Sequence, residues 1–90
     1  MFKHEATAQV GDVIRAYDFR GNREAYIEGV VTDKGAVRNP QGAYLLFEGY
    51  TIDIDVDTLG GREGDQGYVP FESTFDYDER VELVKERLTA

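Results

Sequence analysis

Three aspartates occupy alternate positions in the segment "IDIDVDTLGG", at Asp53, Asp55 and Asp57. Carboxylates at the first, third and fifth positions open an EF-hand calcium loop, which also requires glycine at position 6 and glutamate at position 12. Counted from Asp53, those two positions hold Thr58 and Gly64. A calcium loop built here would therefore lack both its sharp turn and its bidentate ligand.

The residues between these aspartates favour a different interpretation. Ile52, Ile54 and Val56 alternate with the acids, as in a β-strand with one buried face. Side chains two residues apart on a strand lie about 6.5–7 Å from each other, whereas calcium ligands converge on the ion at about 2.4 Å. We therefore predict no metal site and no cofactor, and we interpret the aspartates as the solvent face of a strand.

Catalytic chemistry is also poorly supported by the residue types. A nucleophilic mechanism needs a nucleophile beside an orienting base, but the sequence has no cysteine, one serine (Ser73) and one histidine (His4). Eighteen acidic residues would allow an acid–base pair, yet their spacing singles out none. The glycine-rich "GGREGDQG" lacks the lysine and hydroxyl residue of a phosphate-binding loop. We predict a protein that is not an enzyme, with no catalytic residues.

The net charge of −8 is concentrated in the second half of the chain. Residues 1–45 hold six of the 18 acids and six of the 10 bases, which leaves twelve acids and four bases for residues 46–90. Such asymmetry bears on partners rather than on the fold. Direct nucleic-acid binding is not expected, because it requires a basic face. No membrane span is expected either, because no apolar run approaches the roughly 20 residues required.

The elements that would position these acids are short β-strands separated by glycine-rich turns. Period-2 patterns of β-branched and aromatic residues predict strands at 10–19, 25–33, 43–57, 68–73 and 80–85. For the last segment a helical stripe also fits, and we favour a closing strand. The segment 34–42 contains two glycines and a proline and is expected to break any regular element. A chain of this length forms a single domain, in which we expect residues 1–8 to fray and 86–90 to form a tail.

Two glycines inside these strands carry specific expectations. Gly49 divides the third strand, because apolar residues stand at odd positions before it and at even positions after it. A bulge or bend at Gly49 would restore a single inward face, as at the corners of small barrels. Gly29 is a second candidate for a bulge or a close backbone approach. The fold predicted is mainly β, a small barrel of five to six strands with a bent strand at Gly49.

Two resemblances extend this interpretation. The opening "GDVI", the turn at Gly21 and "IEGVV" resemble the first hairpin of SH3-like barrels of the Tudor and KOW kind. The segments "GDVIRAYDF", "YIEGVVTD", "GYVPFE" and "FDYDERVELV" resemble blocks of small, acidic, uncharacterised proteins of tailed bacteriophages. The second resemblance implies a phage origin and a setting in the host cytoplasm, and it carries no functional residues to transfer.

We therefore predict an interaction module whose acidic face binds a basic surface of a host or phage protein, with carboxylates at the positions of nucleic-acid phosphates. The alternative is a structural or peptide-binding barrel, as a monomer or an oligomer, that uses aromatic residues or an edge strand. A solvated face without a partner is the third interpretation. The candidate interface residues are the acids Asp53, Asp55, Asp57, Glu63, Asp65, Asp76, Asp78 and Glu79 and the aromatics Tyr68, Phe71, Phe75 and Tyr77.

Overall fold

The structure is a computed structural model that describes residues 3–38, 41, 45–72 and 76–86. Over these residues all regular structure is β, which confirms the predicted class and the strand type of the last element. The five strands are β1 (Val13–Phe19), β2 (Asn22–Arg38), β3 (Leu45–Asp57), β4 (Gln66–Pro70) and β5 (Val81–Lys85). In this part of the chain there is no helix that could cross a membrane.

The strands form one antiparallel sheet in the order β4-β3-β2-β1-β5. The chain runs as a meander through β1 to β4, and β5 then returns to pair with β1. The sheet is not closed, since the end strands β4 and β5 do not pair with each other over the residues described. Strand β2 is longer than predicted: its part from Lys34 to Arg38, expected to be irregular, pairs with β3. Cross-strand pairing there outweighs the weak strand propensity of Gly35.

The inner face of the sheet carries the hydrophobic core. Its most completely buried side chains come from four of the strands and are those of Ile14, Val31, Tyr50, Ile52 and Val69. The alternation that predicted the strands thus also predicts which face is buried in β1 and in the centre of β3.

A bulge in β3 inverts this alternation near its end. Gly29 of β2 pairs with Ile54, but the next residue, Glu28, pairs with Val56, so that Asp55 is an extra residue without a partner. Past the bulge Val56 becomes exposed, and Asp57 faces the interior. The close approach predicted at Gly29 is confirmed, because a Cβ atom there would lie 1.9 Å from the carbonyl oxygen of Asp53.

Of the two alternatives predicted at Gly49, the bulge is wrong, and the bend stays a prediction. The register between β2 and β3 runs without a shift past this residue, and its φ is not positive. Gly49 is instead a point of close approach to β4, where a Cβ atom would lie 2.3 Å from the carbonyl oxygen of Val69. The apparent parity change arises because Phe47 packs edge-to-face against Tyr68, with 5.8 Å between ring centroids, rather than in the core.

The N-terminal strap, which we define as residues 3–8, contacts the sheet, although residues 1–8 were expected to fray. His4 and Ala8 are buried. The His4 amide donates to the carbonyl of Phe71 at 3.3 Å, and the Ala8 amide donates to the Tyr50 hydroxyl at 3.2 Å. The Tyr50 hydroxyl also contacts the carbonyls of His4 and Glu5. The strap therefore covers one edge of the core.

Candidate functional site

Four of the predicted interface acids are exposed near the end of β3 and in the β3–β4 loop. We call Asp53, Asp55, Glu63 and Asp65 the acidic corner. The hairpin brings the backbones of these two segments together: Asp53 pairs with Gln66, the neighbour of Asp65, and the Ile54 amide donates to the Asp65 carbonyl at 3.0 Å. All four are exposed, and none forms an ion pair with a base in the described ranges. The acidic corner is thus a local excess of negative charge.

Asp57 does not belong to this surface, which corrects the expectation of three aspartates on one face. Its carboxylate is buried and accepts hydrogen bonds from Arg62 Nε at 2.8 Å and from the Leu59 amide at 3.0 Å. Arg62 also pairs with Asp18 at 3.1 Å. Hydrogen bonds from the Arg62 side chain, and then from the Leu59 and Arg62 amides, lower the pKa of Asp57 to about 2. Asp57 therefore shapes the loop that carries Glu63 and Asp65.

The acids near the C-terminal end of the chain form a separate group in which each one faces a base. The contacts are Asp76 Oδ2 to His4 Nε2 at 3.1 Å, Asp78 Oδ1 to Lys3 Nζ at 3.2 Å, and Glu79 Oε2 to Arg23 Nη1 at 3.6 Å. The Asp76 side chain is only 6% exposed, so its place on an acidic surface is also corrected. These acids hold the strap and the β1–β2 hairpin rather than extend the acidic corner.

The aromatic candidates also divide into buried and exposed residues. Phe71 is buried in the core, edge-to-face against Tyr50 at 5.0 Å, and the buried Tyr77 donates its hydroxyl to the Tyr17 carbonyl at 2.9 Å. Both were expected at an interface and are structural. Phe75 lies outside the described residues. Tyr68 remains a candidate, because 53% of it is exposed on β4, beside the acidic corner.

A paired network on the other strands was missed by the sequence reasoning. Arg15 lies 4.1 Å from the centroid of the Tyr26 ring and 2.7 Å from Glu28 Oε1. On the same sheet, the Tyr17 hydroxyl donates to Glu82 at 2.7 Å, and this bond, followed by the charge of Arg23, lowers the pKa of Glu82. The cross-strand positions Arg15 and Glu28 are the signal that could have identified it, once the register was known. Here charges are balanced, in contrast to the acidic corner.

The buried pair of His4 and Asp76 has the residue types of a catalytic base and its orienting acid. His4 Nε2 lies 3.1 Å from the Tyr77 carbonyl, which can only accept, so this nitrogen carries the proton and donates. The contacts of the imidazole include no serine, threonine or lysine of the described chain, and its side chain is 3% exposed. The pair links the strap to the segment that precedes β5. Over the same residues, no group of three potential ligands could hold a metal ion.

No protein-family model matches the chain, and neither the curated proteins nor the solved structures give a match.

Proposed function

We propose that this protein is a non-enzymatic, phage-encoded interaction module whose acidic corner binds a basic surface of a host or phage protein in the host cytoplasm. The observation that carries the proposal is the position, near the exposed Tyr68, of four exposed carboxylates that form no ion pair with any described base. Carboxylates attract a basic surface over a distance, and a tyrosine at the edge of the cluster supplies apolar contact area and a hydroxyl. Carboxylates in such a cluster would take the places of nucleic-acid phosphates.

The energetics of the fold support a role for the acidic corner. Like charges held close together repel each other and lower the stability of the folded state. The only base between Asp53 and Asp65 is Arg62, and its guanidinium is already bonded to Asp57 and Asp18. Among the described residues no ion pair with a base relieves this repulsion, and a basic partner would relieve it.

We also propose that the sheet curls into an SH3-like barrel that presents this corner rigidly. Strand β1 pairs with both β2 and β5, and register shifts in the long β2–β3 pair supply the bends that a barrel needs. The end strands are linked by contacts other than strand pairing, since Arg80 Nη1, next to β5, donates to the Pro70 carbonyl of β4 at 3.2 Å.

The test uses two variants of equal net charge. The corner variant carries Asp53→Asn, Asp55→Asn, Glu63→Gln and Asp65→Asn, and the control variant neutralises four other exposed acids, Glu24, Asp33, Glu48 and Glu86. Immobilised wild type, corner variant and control variant are exposed to bacterial lysate at low and high salt, and association rates are then measured with the captured protein. We expect the corner variant to bind about tenfold more slowly than wild type and to lose most of the salt dependence, because steering by local charge is lost.

The control variant decides between a local site and a general charge effect. Near-wild-type association by the control supports the acidic corner. Equal losses in both variants, or partners retained by the corner variant at high salt, would overturn the proposal. The alternative of a peptide-binding barrel is favoured by one specific observation, the position of β4 at the end of the sheet.

A further inference from the structure

The hydrogen-bonding phase of β4 can be read from the two bonds that flank it. The Ile54 amide donates to the Asp65 carbonyl, and the Phe71 amide donates to the Glu48 carbonyl, each at 3.0 Å. In an antiparallel ladder, residue pairs that exchange hydrogen bonds alternate with pairs that do not. The register between β3 and β4 is unbroken, so Gly67 and Val69 direct their amide and carbonyl groups towards β3.

The residues that alternate with them, Gln66 and Tyr68, must therefore direct their N–H and C=O groups away from the sheet. β4 is the end strand, and no described residue bonds the backbone of either one. The edge ends at the next outward position, because Pro70 has no N–H and its carbonyl accepts from Arg80. Within the described part of the chain, an open edge of two residues remains, with two donors and two acceptors.

The charge around this edge indicates what would fill it. Asp65 immediately precedes Gln66, and Asp53 is the cross-strand partner of Gln66. Tyr68 is exposed and packs edgewise against Phe47, which holds its ring beside the edge. A second copy of this chain carries the same charge of −8 and would be repelled. An extended segment with lysine or arginine side chains would pair with the edge and place its charges near the carboxylates.

We propose that β4 takes up an extended, basic peptide segment as a sixth strand of the sheet. This inference rests on the proposed function and specifies the form in which the basic partner is recognised. Main-chain hydrogen bonds to Gln66 and Tyr68 hold the segment, and the acidic corner selects its charge. Pro70 limits the added ladder to a short stretch, so binding is reversible and does not propagate from one chain to the next.

The experiment uses end-capped, fluorescein-labelled decapeptides. One alternates lysine with threonine, a second alternates lysine with proline and so keeps the charge but loses strand-forming amides, and a third alternates glutamate with threonine. Affinity is measured by fluorescence anisotropy at low salt, for wild type, Gln66→Pro and the matched control Gln66→Ala. Gln66→Pro removes an outward amide at the first residue of an edge strand, a position where proline is tolerated.

We expect the lysine–threonine peptide to bind at least tenfold more tightly than the lysine–proline peptide, and the glutamate peptide not to bind. Gln66→Pro should weaken binding at least fivefold, and Gln66→Ala should stay within twofold of wild type. At saturation, amide exchange should slow about tenfold at Gln66 and Tyr68 and remain unchanged at Gly67. If Gln66→Pro fails to fold, the comparison of the two lysine peptides and the exchange data decide the question.

Two outcomes would overturn strand addition and leave the acidic corner as a binding surface. One is that wild type binds the two lysine peptides with equal affinity and the two Gln66 variants also bind equally. Charge attraction alone would then account for the binding. The other is no binding of the lysine–threonine peptide at millimolar concentration. Failure of the proposed function itself is recognised separately, from equal behaviour of the corner and control variants in lysate. Strand addition that is unaffected in the corner variant would overturn the choice of a basic occupant.

Discussion

Replacing Tyr50 by phenylalanine isolates the bonds that fasten the N-terminal strap. The Tyr50 hydroxyl accepts the Ala8 amide at 3.2 Å and donates towards the carbonyls of His4 and Glu5. The ring packs edge-to-face against Phe71, and phenylalanine preserves this contact. The Tyr50→Phe substitution therefore removes one accepted and one donated bond without opening a large cavity.

The expected loss follows from these two bonds. Each buried hydrogen bond contributes roughly 0.5–1.5 kcal/mol, and an amide left without a partner costs about 1–3 kcal/mol. We expect the free energy of unfolding to fall by about 2 kcal/mol and Tm to fall by on the order of 10 °C. Urea unfolding measures the first and calorimetry the second. Amide exchange at Ala8 should accelerate more than exchange at Ile52 in the centre of the sheet.

The matched control is Tyr68→Phe. The exposed Tyr68 hydroxyl has no hydrogen-bond partner among the described residues, so its removal should change stability by less than about 0.5 kcal/mol. If Tyr50→Phe loses no more stability than the control, or if amide exchange at Ala8 is unchanged, the Tyr50 hydroxyl does not hold the strap on the sheet.

The same substitution has a signature at alkaline pH. Burial raises the pKa of the Tyr50 phenol above the ordinary value of 10.0, so the folded state favours the neutral phenol. This contribution to stability is present in full below pH 10.0 and is lost as pH rises through the folded-state pKa. Tyr50→Phe should make unfolding less sensitive to alkali than in wild type. Some sensitivity should remain from Tyr77, whose pKa is also raised by burial.

Three further predictions concern β3 and its loop. Gly49→Ala should lower the free energy of unfolding by roughly 1–3 kcal/mol in urea, because a Cβ atom 2.3 Å from the Val69 carbonyl oxygen forces β4 to move; unchanged stability would mean that β4 yields freely. The ion pair of Asp57 with Arg62 should stabilise the fold fully above pH 3.8 and be lost as pH falls through about 2. Asp57→Asn should therefore be less stable than wild type at neutral pH, and its free energy of unfolding, measured in urea, should fall less steeply as the pH is lowered through this range. An identical pH dependence in the two proteins would contradict the assignment. Millimolar calcium should leave Tm the same as millimolar magnesium does. A calcium site occupied at a calcium concentration of 100 times its Kd would add about 2.7 kcal/mol to the free energy of unfolding. A rise in Tm with calcium but not with magnesium would therefore reveal a site.

The strands could be predicted from the sequence because alternation is a local property that each segment carries by itself. The inversion in β3 could not, because nothing within "DIDVD" marks Asp55 as the extra residue. The bulge depends on Gly29 in another strand, whose missing side chain allows the Asp53 carbonyl to come close. Asp57 was consequently assigned to the wrong face.

The strap and the buried aromatics show a second reason why parts of the structure could not be predicted from the sequence. His4 lies in a polar segment without periodicity, and its partner Asp76 is 72 residues away. Phe71 and Tyr77 stand among acids, so local composition predicts exposure, whereas both are buried in the fold. Residues of the candidate site that depend on a single hairpin, such as Asp53 and Asp65, were identified correctly as exposed.

The connection between the two ends of the described chain also sets an order for folding. β1 pairs with β5, and the strap bonds Phe71 and Tyr77, so the strap and β1 can complete their contacts only after the later segment has been synthesised. Contacts of such long sequence separation slow folding, because the loop between the partners must close before the contact is gained. We expect the β2–β3 hairpin to form first and the strap to dock last. During synthesis the unfastened strap leaves one edge of the nascent core open, which makes this interval the one most exposed to proteases and to aggregation.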